Sequence, residues 1–238
     1  MNRNKHEEHP KLTREEAYVE AGVVLLQLGR WLQKHYTPAV HEGSQFEEDA
    51  IIARLLPGDT GLYVDIGASH SSECSNTWRL YQKGWRGLLI EPLPDAWGEL
   101  LLNRREDYLC PMAASNIGGF ANLRLCRSVS TLRPDWNVGE TETVPVRTAT
   151  LKDILLMYPE TDWSQTRLCS IDVEGHEKEV LEGIDWETFH PEMFILEYRA
   201  YDAVDYGEDI SAAWKGILKG NGYKLHFTNK LNQIWIRK

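Results

Sequence analysis

Four carboxylates in this 238-residue chain close apolar runs that read as buried strands. Tyr63-Val64-Asp65-Ile66-Gly67-Ala68-Ser69-His70 carries Asp65 just ahead of a glycine, and Gly87-Leu88-Leu89-Ile90-Glu91-Pro92 ends on Glu91 and a proline. Arg167-Leu168-Cys169-Ser170-Ile171-Asp172 runs into Val173-Glu174-Gly175-His176-Glu177, and Met193-Phe194-Ile195-Leu196 ends on Glu197. A carboxylate removed from water costs free energy unless something pairs with it. Asp65 and Glu91 lie 26 positions apart, the length of one βαβ unit. In nucleotide-binding doubly wound sheets, the acid at the end of the second strand holds ribose hydroxyls. Asp65 to Ser69 is therefore where a cofactor is expected, although a plain tight turn explains a strand ending in D-x-G equally well. Asp172, Glu174 and His176 form a candidate acid/base or metal cluster. The competing reading is a charged helix start, where acids favour the helix dipole. Asp172 resists that reading most, because it interrupts an apolar strand.

The elements that must position these groups follow from the pattern. Residues Met1 to Leu12 are polar. Thr13-Arg14-Glu15-Glu16 is a capping box opening an amphipathic helix that Pro38 ends, and such a stripe is expected to pack on the core. This gives two parts: residues 1–43 as tail and packed helix, and 44–238 as the main α/β domain. Ser44 reads as the N-cap of a helix closed by Pro57-Gly58, which puts Gln45 near the mouth of the first strand. Helices are expected over Asn76–Tyr81, Pro94–Arg104, Leu151–Met157, Glu177–Gly183 and Ile210–Lys219, with a strand over Tyr108–Ala114. Ala113 and Ala114 are small enough to leave room for a flat ring. Ala121–Leu125 and Thr143–Arg147 alternate in polarity around a loop with Ser128, Ser130 and Thr131, which predicts a hairpin inserted into the α/β order. Loops of this kind at a sheet's carboxyl edge often cover substrate. Tyr223–Phe227 and Gln233–Ile236 predict a terminal antiparallel hairpin.

Composition narrows the function classes. A formal net charge of −10 argues against gripping nucleic-acid phosphates, which needs a Lys/Arg surface. Cys74, Cys110, Cys126 and Cys169 contain no C-x-x-C spacing; at least Cys110 and Cys169 lie in strand-like runs, and buried free thiols in a reducing compartment fit better than disulfides or zinc. No signal-peptide pattern opens the chain, and no apolar run is long enough to span a bilayer. The expectation is a cytoplasmic protein without a transmembrane segment.

Taken together, Ser44-Gln45-x-x-Glu48-Asp49, Val64-Asp65-Ile66-Gly67-Ala68, Gly84-Trp85-Arg86-Gly87-Leu88-Leu89-Ile90-Glu91-Pro92 and Ile171-Asp172-Val173-Glu174-Gly175-His176-Glu177 resemble the FkbM-type methyltransferases. The resemblance covers roughly Ser44 to Tyr198. It implies a class I, Rossmann-like α/β fold with a mostly parallel seven-stranded sheet, S-adenosyl-L-methionine as cofactor, and O-methylation of a carbohydrate or glycosylated small molecule. It implies that Asp65, Gly67 and Ala68 hold the methionine part, that Glu91 binds the ribose hydroxyls, that Gln45 flanks the cofactor, that Ala113 and Ala114 lie at the adenine, and that Ser69 and Pro92 also belong to the cofactor site. Asp172, Glu174 and His176 match the acceptor side. Asp172 or His176 is expected as base, with Glu174 and Glu197 positioning the acceptor. These acids could also hold a divalent ion, but metal-free chemistry is the preferred expectation. The sequence departs from many class I enzymes in carrying Ala68-Ser69-His70 where further glycines are usual. A nicotinamide-dependent oxidoreductase would show G-x-G-x-x-G at that turn, and a non-catalytic binding module would not need the cluster from Asp172 to His176.

Overall fold

The computed structural model describes residues 43–125, 130–133, 142–201 and 206–238. The N-terminal helix expected before Pro38, together with Cys126 and Ser128, lies outside the described residues. The chain begins its α/β order with α1 (Glu48–Leu55), β1 (Leu62–Ile66), α2 (Trp78–Gln82), β2 (Arg86–Ile90), α3 (Pro94–Asn103) and β3 (Tyr108–Cys110). Three short strands interrupt it: β4 (Ala113–Ala114), β5 (Gly119–Arg124) and β6 (Thr143–Ala149). The order resumes with α4 (Leu151–Leu155), β7 (Thr166–Ile171), α5 (Glu177–Glu182) and β8 (Met193–Glu197). A small ribbon, β9 (Arg199–Tyr201) and β10 (Tyr206–Asp209), precedes α6 (Lys215–Gly220), β11 (Tyr223–Thr228) and β12 (Asn232–Arg237).

Seven strands form one sheet in the order β3-β2-β1-β7-β8-β12-β11. All are parallel except β12, which runs antiparallel to both neighbours. This is a class I methyltransferase arrangement, as the sequence leads one to expect. Successive strand residues face opposite sides of a sheet. Val64, Ile66, Leu88, Ile90, Cys169 and Ile171 accordingly build the core on one face, and Tyr63, Leu89, Leu168, Met193 and Ile195 build it on the other. The chain steps outward from β1 to β3, then returns to β7 on the other side of β1. Its topological switch point is the gap between β1 and β7, where ligands of open α/β sheets bind.

Three expectations need correction. The strand expected over Tyr108–Ala114 is broken: β3 stops at Cys110, and Ala113 and Ala114 pair with Thr148 and Ala149 in a separate sheet of order β4-β6-β5. Pro111, with no N–H to donate, sits at the break. The helix expected from Ser44 starts at Glu48, because Ser44 bonds reciprocally with Asp49 across five residues. The helix expected over Ile210–Lys219 is a 3-10 turn at Ser211–Ala213 followed by α6. The break falls at Trp214, whose ring meets that of Trp235 edge-on at 6.2 Å. The inserted hairpin is present as antiparallel β5 and β6, and the terminal hairpin as β11 and β12. The β9–β10 ribbon has no forecast in the sequence. Among the described residues, Cys110 and Cys169 are buried free thiols and Cys74 is a free, exposed one. No helix among them is long and apolar enough to cross a membrane.

Candidate active site

A cavity of about 540 Å³ opens at the carboxyl ends of β1, β2 and β7. Gly67, Ala68 and Ser69 form its first wall, directly after β1. Gly67 has φ +82°, and a Cβ there would stand 1.8 Å from the Asp172 carbonyl oxygen, so the β1 and β7 turns approach as closely as they do only because this residue is glycine. Its N–H donates to the Ile90 carbonyl at 2.9 Å, joining the ends of β1 and β2. Ser69 follows in the left-handed region at φ 43°, which aims its N–H at Glu91.

Glu91 is 5% exposed and lies at the cavity wall. Its Oε2 accepts from Ser69 N at 3.0 Å and its Oε1 from Leu93 N at 2.8 Å. Burial raises its pKa; the two backbone donors pull the other way. Pro92 and Leu93 continue this wall, and Met112, Ala113 and Ala114 form an apolar stretch beside it. Gln45 reaches the rim, where it hydrogen-bonds the Cys74 thiol.

Asp65 stands apart. Strand alternation turns its side chain to the sheet face opposite Val64 and Ile66, and it is not among the groups lining the cavity. Its Oδ2 accepts from Thr77 Oγ1 at 2.5 Å. Behind it, the guanidinium of Arg104, 1% exposed, donates to Thr77 Oγ1 (2.9 Å), Asp107 Oδ2 (2.8 Å), Tyr63 Oη (2.7 Å) and the Ser71 carbonyl (3.0 Å). Asp65 and Arg104 thus brace the loop after β1 from below. Burial raises the Asp65 pKa, with Thr77 and Arg104 opposing.

The opposite wall is acidic. Asp172, Val173, Glu174, His176 and Glu197 all line it. Asp172 is exposed where it lines the cavity, and desolvation by the surrounding protein pushes its pKa up to about 6. Glu174 sits at φ 54°, an uncommon conformation for a side chain with a Cβ, and its carbonyl accepts from Thr131 Oγ1 of the insertion at 2.7 Å. Glu177, fully buried, accepts through Oε1 from Gly175 N (3.1 Å) and Val173 N (3.3 Å) and so fixes the turn. Glu197 is 4% exposed and its carboxyl stands beside that of Asp172, while its Oε2 has no partner. Burial, reinforced by the charge of Asp172, lifts the Glu174 and Glu197 carboxyls well above the usual range. One oxygen from each of Asp172, Glu174 and Glu197 lies within 4.8 Å of the others, a donor set suited to a hard cation. His176 sits at the N-cap position of α5 without a side-chain capping bond, with Nε2 3.0 Å from Ser115 Oγ and Nδ1 3.6 Å from Glu179 Oε2. Burial lowers its pKa, which favours the neutral imidazole.

The structure therefore brings Gln45, Gly67, Ala68, Ser69, Glu91, Pro92, Ala113, Ala114, Asp172, Glu174, His176 and Glu197 around one cavity, and leaves Asp65 behind it. Sequence reasoning did not single out His70, Glu73, Leu93, Leu132 or Leu231, which also line it. His70 and Glu73 lie in a loop without periodicity. Leu231 arrives from the β11–β12 turn, far along the chain.

A family model described as the methyltransferase FkbM domain matches residues 65–225. No curated protein sequence matches significantly. Among solved structures, a precorrin-6y C5,15-methyltransferase from Geobacter metallireducens is similar at 14% identity and TM-score 0.46, covering 85% of this chain and 93% of its own. A TehB-like SAM-dependent methyltransferase from Corynebacterium glutamicum is similar at 10% identity and TM-score 0.42, covering 93% and 99%. A 1,6-didemethyltoxoflavin-N1-methyltransferase from Burkholderia thailandensis, with bound S-adenosylhomocysteine, is similar at 10% identity and TM-score 0.42, covering 99% and 96%.

Proposed function

The chain belongs to the FkbM methyltransferase family, and from that premise we propose that it moves the methyl group of S-adenosyl-L-methionine onto a hydroxyl of a carbohydrate or glycosylated small molecule. The observation that carries this reading is the cavity at the switch point, with a held carboxylate on one wall and a titratable cluster on the other. The residues fit the cofactor. Glu91 keeps lone pairs for ribose hydroxyls while two backbone donors fix its orientation. Gly67, Ala68 and Ser69 offer a close backbone approach for the methionine part. Ala113 and Ala114 bring no bulk where the adenine would lie, and Pro92 and Gln45 flank it. Asp65 acts from beneath, holding Thr77 and with it the loop.

When bound, S-adenosyl-L-methionine supplies a methyl group on a sulfonium, a leaving group already activated by its charge. The protein's part is to align the acceptor oxygen and take its proton. Asp172 or His176 accepts that proton, and Glu174 and Glu197 orient the acceptor. Gly67, Ala68, Ser69 and Glu91 would hold the donor in place while the acceptor oxygen gives up its proton to Asp172 or His176. Labelled methyl transfer onto a panel of glycans and small sugars tests the reading. Label should appear on a hydroxyl-bearing acceptor and disappear with Asp172→Asn, while that variant keeps S-adenosylhomocysteine binding. Label confined to amines or RNA would overturn the choice of acceptor.

A further inference from the structure

Three carboxylates converge on the acceptor wall. Among the described residues, no Lys or Arg pairs with Asp172, Glu174 or Glu197; their electrostatic neighbours are one another and Glu177, with Asp65 and Glu48 near Asp172. Buried polar atoms are normally hydrogen-bonded, yet Glu197 Oε2 and Glu174 Oε2 have no partner. Glu197 is only 4% exposed, and one of its carboxylate oxygens lies within 4.8 Å of those of the other two. Sharing protons between carboxyls would quench charge but would still leave these oxygens unpaired. Oxygens bound to one small divalent ion at about 2.0–2.6 Å stand roughly 3–5 Å from each other, which the 4.8 Å cluster already meets.

We propose that Asp172, Glu174 and Glu197 bind a divalent metal cation at the edge of the methyl-transfer cavity. An all-oxygen, all-carboxylate set selects Mg²⁺, Mn²⁺ or Ca²⁺ over softer metals. Asp172, open to the cleft, places the ion where acceptor oxygens can reach its remaining positions. The ion's use in methyl transfer rests on the methyltransferase reading; its binding does not. An acceptor presenting two neighbouring oxygens, such as a vicinal diol of a sugar, would suit such an ion better than an isolated hydroxyl.

The test uses the full chain, stripped with chelator and free of cofactor, with Mn²⁺ as probe. Free Mn²⁺ is followed by electron paramagnetic resonance, and S-adenosylhomocysteine binding is followed separately by calorimetry. The wild type should bind one Mn²⁺ per chain, and Asp172→Asn and Glu197→Gln should each weaken it by roughly tenfold or more, with S-adenosylhomocysteine affinity held within about twofold. Glu174→Gln, on a less buried side chain, serves as the second variant should Glu197→Gln fail to fold. No stoichiometric Mn²⁺ in the wild type, or undiminished Mn²⁺ in folded variants, overturns the site. Mn²⁺ bound without any S-adenosylhomocysteine binding would keep the metal site and defeat the methyltransferase reading; the reverse pattern would keep the enzyme and defeat the site.

Discussion

Glu91 and Gly67 show how much single atoms decide. Both Glu91 oxygens accept from backbone N–H groups, so glutamine in its place would set an amide donor against Ser69 or Leu93. Glu91→Ala should lower S-adenosylhomocysteine affinity by roughly tenfold or more, about 1.4 kcal/mol, and equal calorimetric affinity in variant and wild type would rule out the ribose role. Gly67→Ala puts a Cβ onto the Asp172 carbonyl in a left-handed backbone. We expect it to destabilise the fold by roughly 2–4 kcal/mol, read as a lower denaturant midpoint. At this scale the sequence was legible wherever an acid interrupts an apolar run, as at Glu91, Asp172 and Glu197. It was not legible for the direction of Asp65. That carboxylate faces Thr77 and the Arg104 guanidinium, and nothing in the local pattern announces a partner drawn from the end of α3.

Elements hold these atoms in register, and Arg104 is where several meet. It ties the residue after α3 to Tyr63 in β1, to Asp107 before β3 and to the loop that follows β1. Removing it leaves Asp107 and Asp65 buried without a counter-charge. Arg104→Met should therefore cost roughly 3–5 kcal/mol, measured by chemical unfolding, and a change under 1 kcal/mol would show the network to be dispensable. The inserted β5–β6 hairpin was readable from its alternation. Its docking was not: Thr131 reaches the Glu174 carbonyl, a contact made by tertiary packing rather than by any local preference. The break at Pro111 was visible as a proline, but small residues on its far side look like a strand continuing rather than one joining another sheet.

On the scale of the whole molecule, right-handed crossovers between consecutive strands make most of the sheet order inferable from the βα alternation. That β12 lies between β8 and β11 follows from the family resemblance and not from the local pattern, because two strands of equal length compete for the same edge. Ligand should stabilise the entire sheet through its switch point. At a hundredfold excess over Kd, S-adenosylhomocysteine should add about 2.7 kcal/mol and raise the melting temperature, whereas NAD should leave it unchanged. One tether carries this further. Glu48 accepts from the side-chain amides of both Asn229 and Asn232, and between them Leu231 takes the Tyr198 N–H on its carbonyl and lends its side chain to the cavity. Occupancy of the cleft should thus be felt as slower deuterium uptake along β12, a strand none of whose residues is among those lining the cavity.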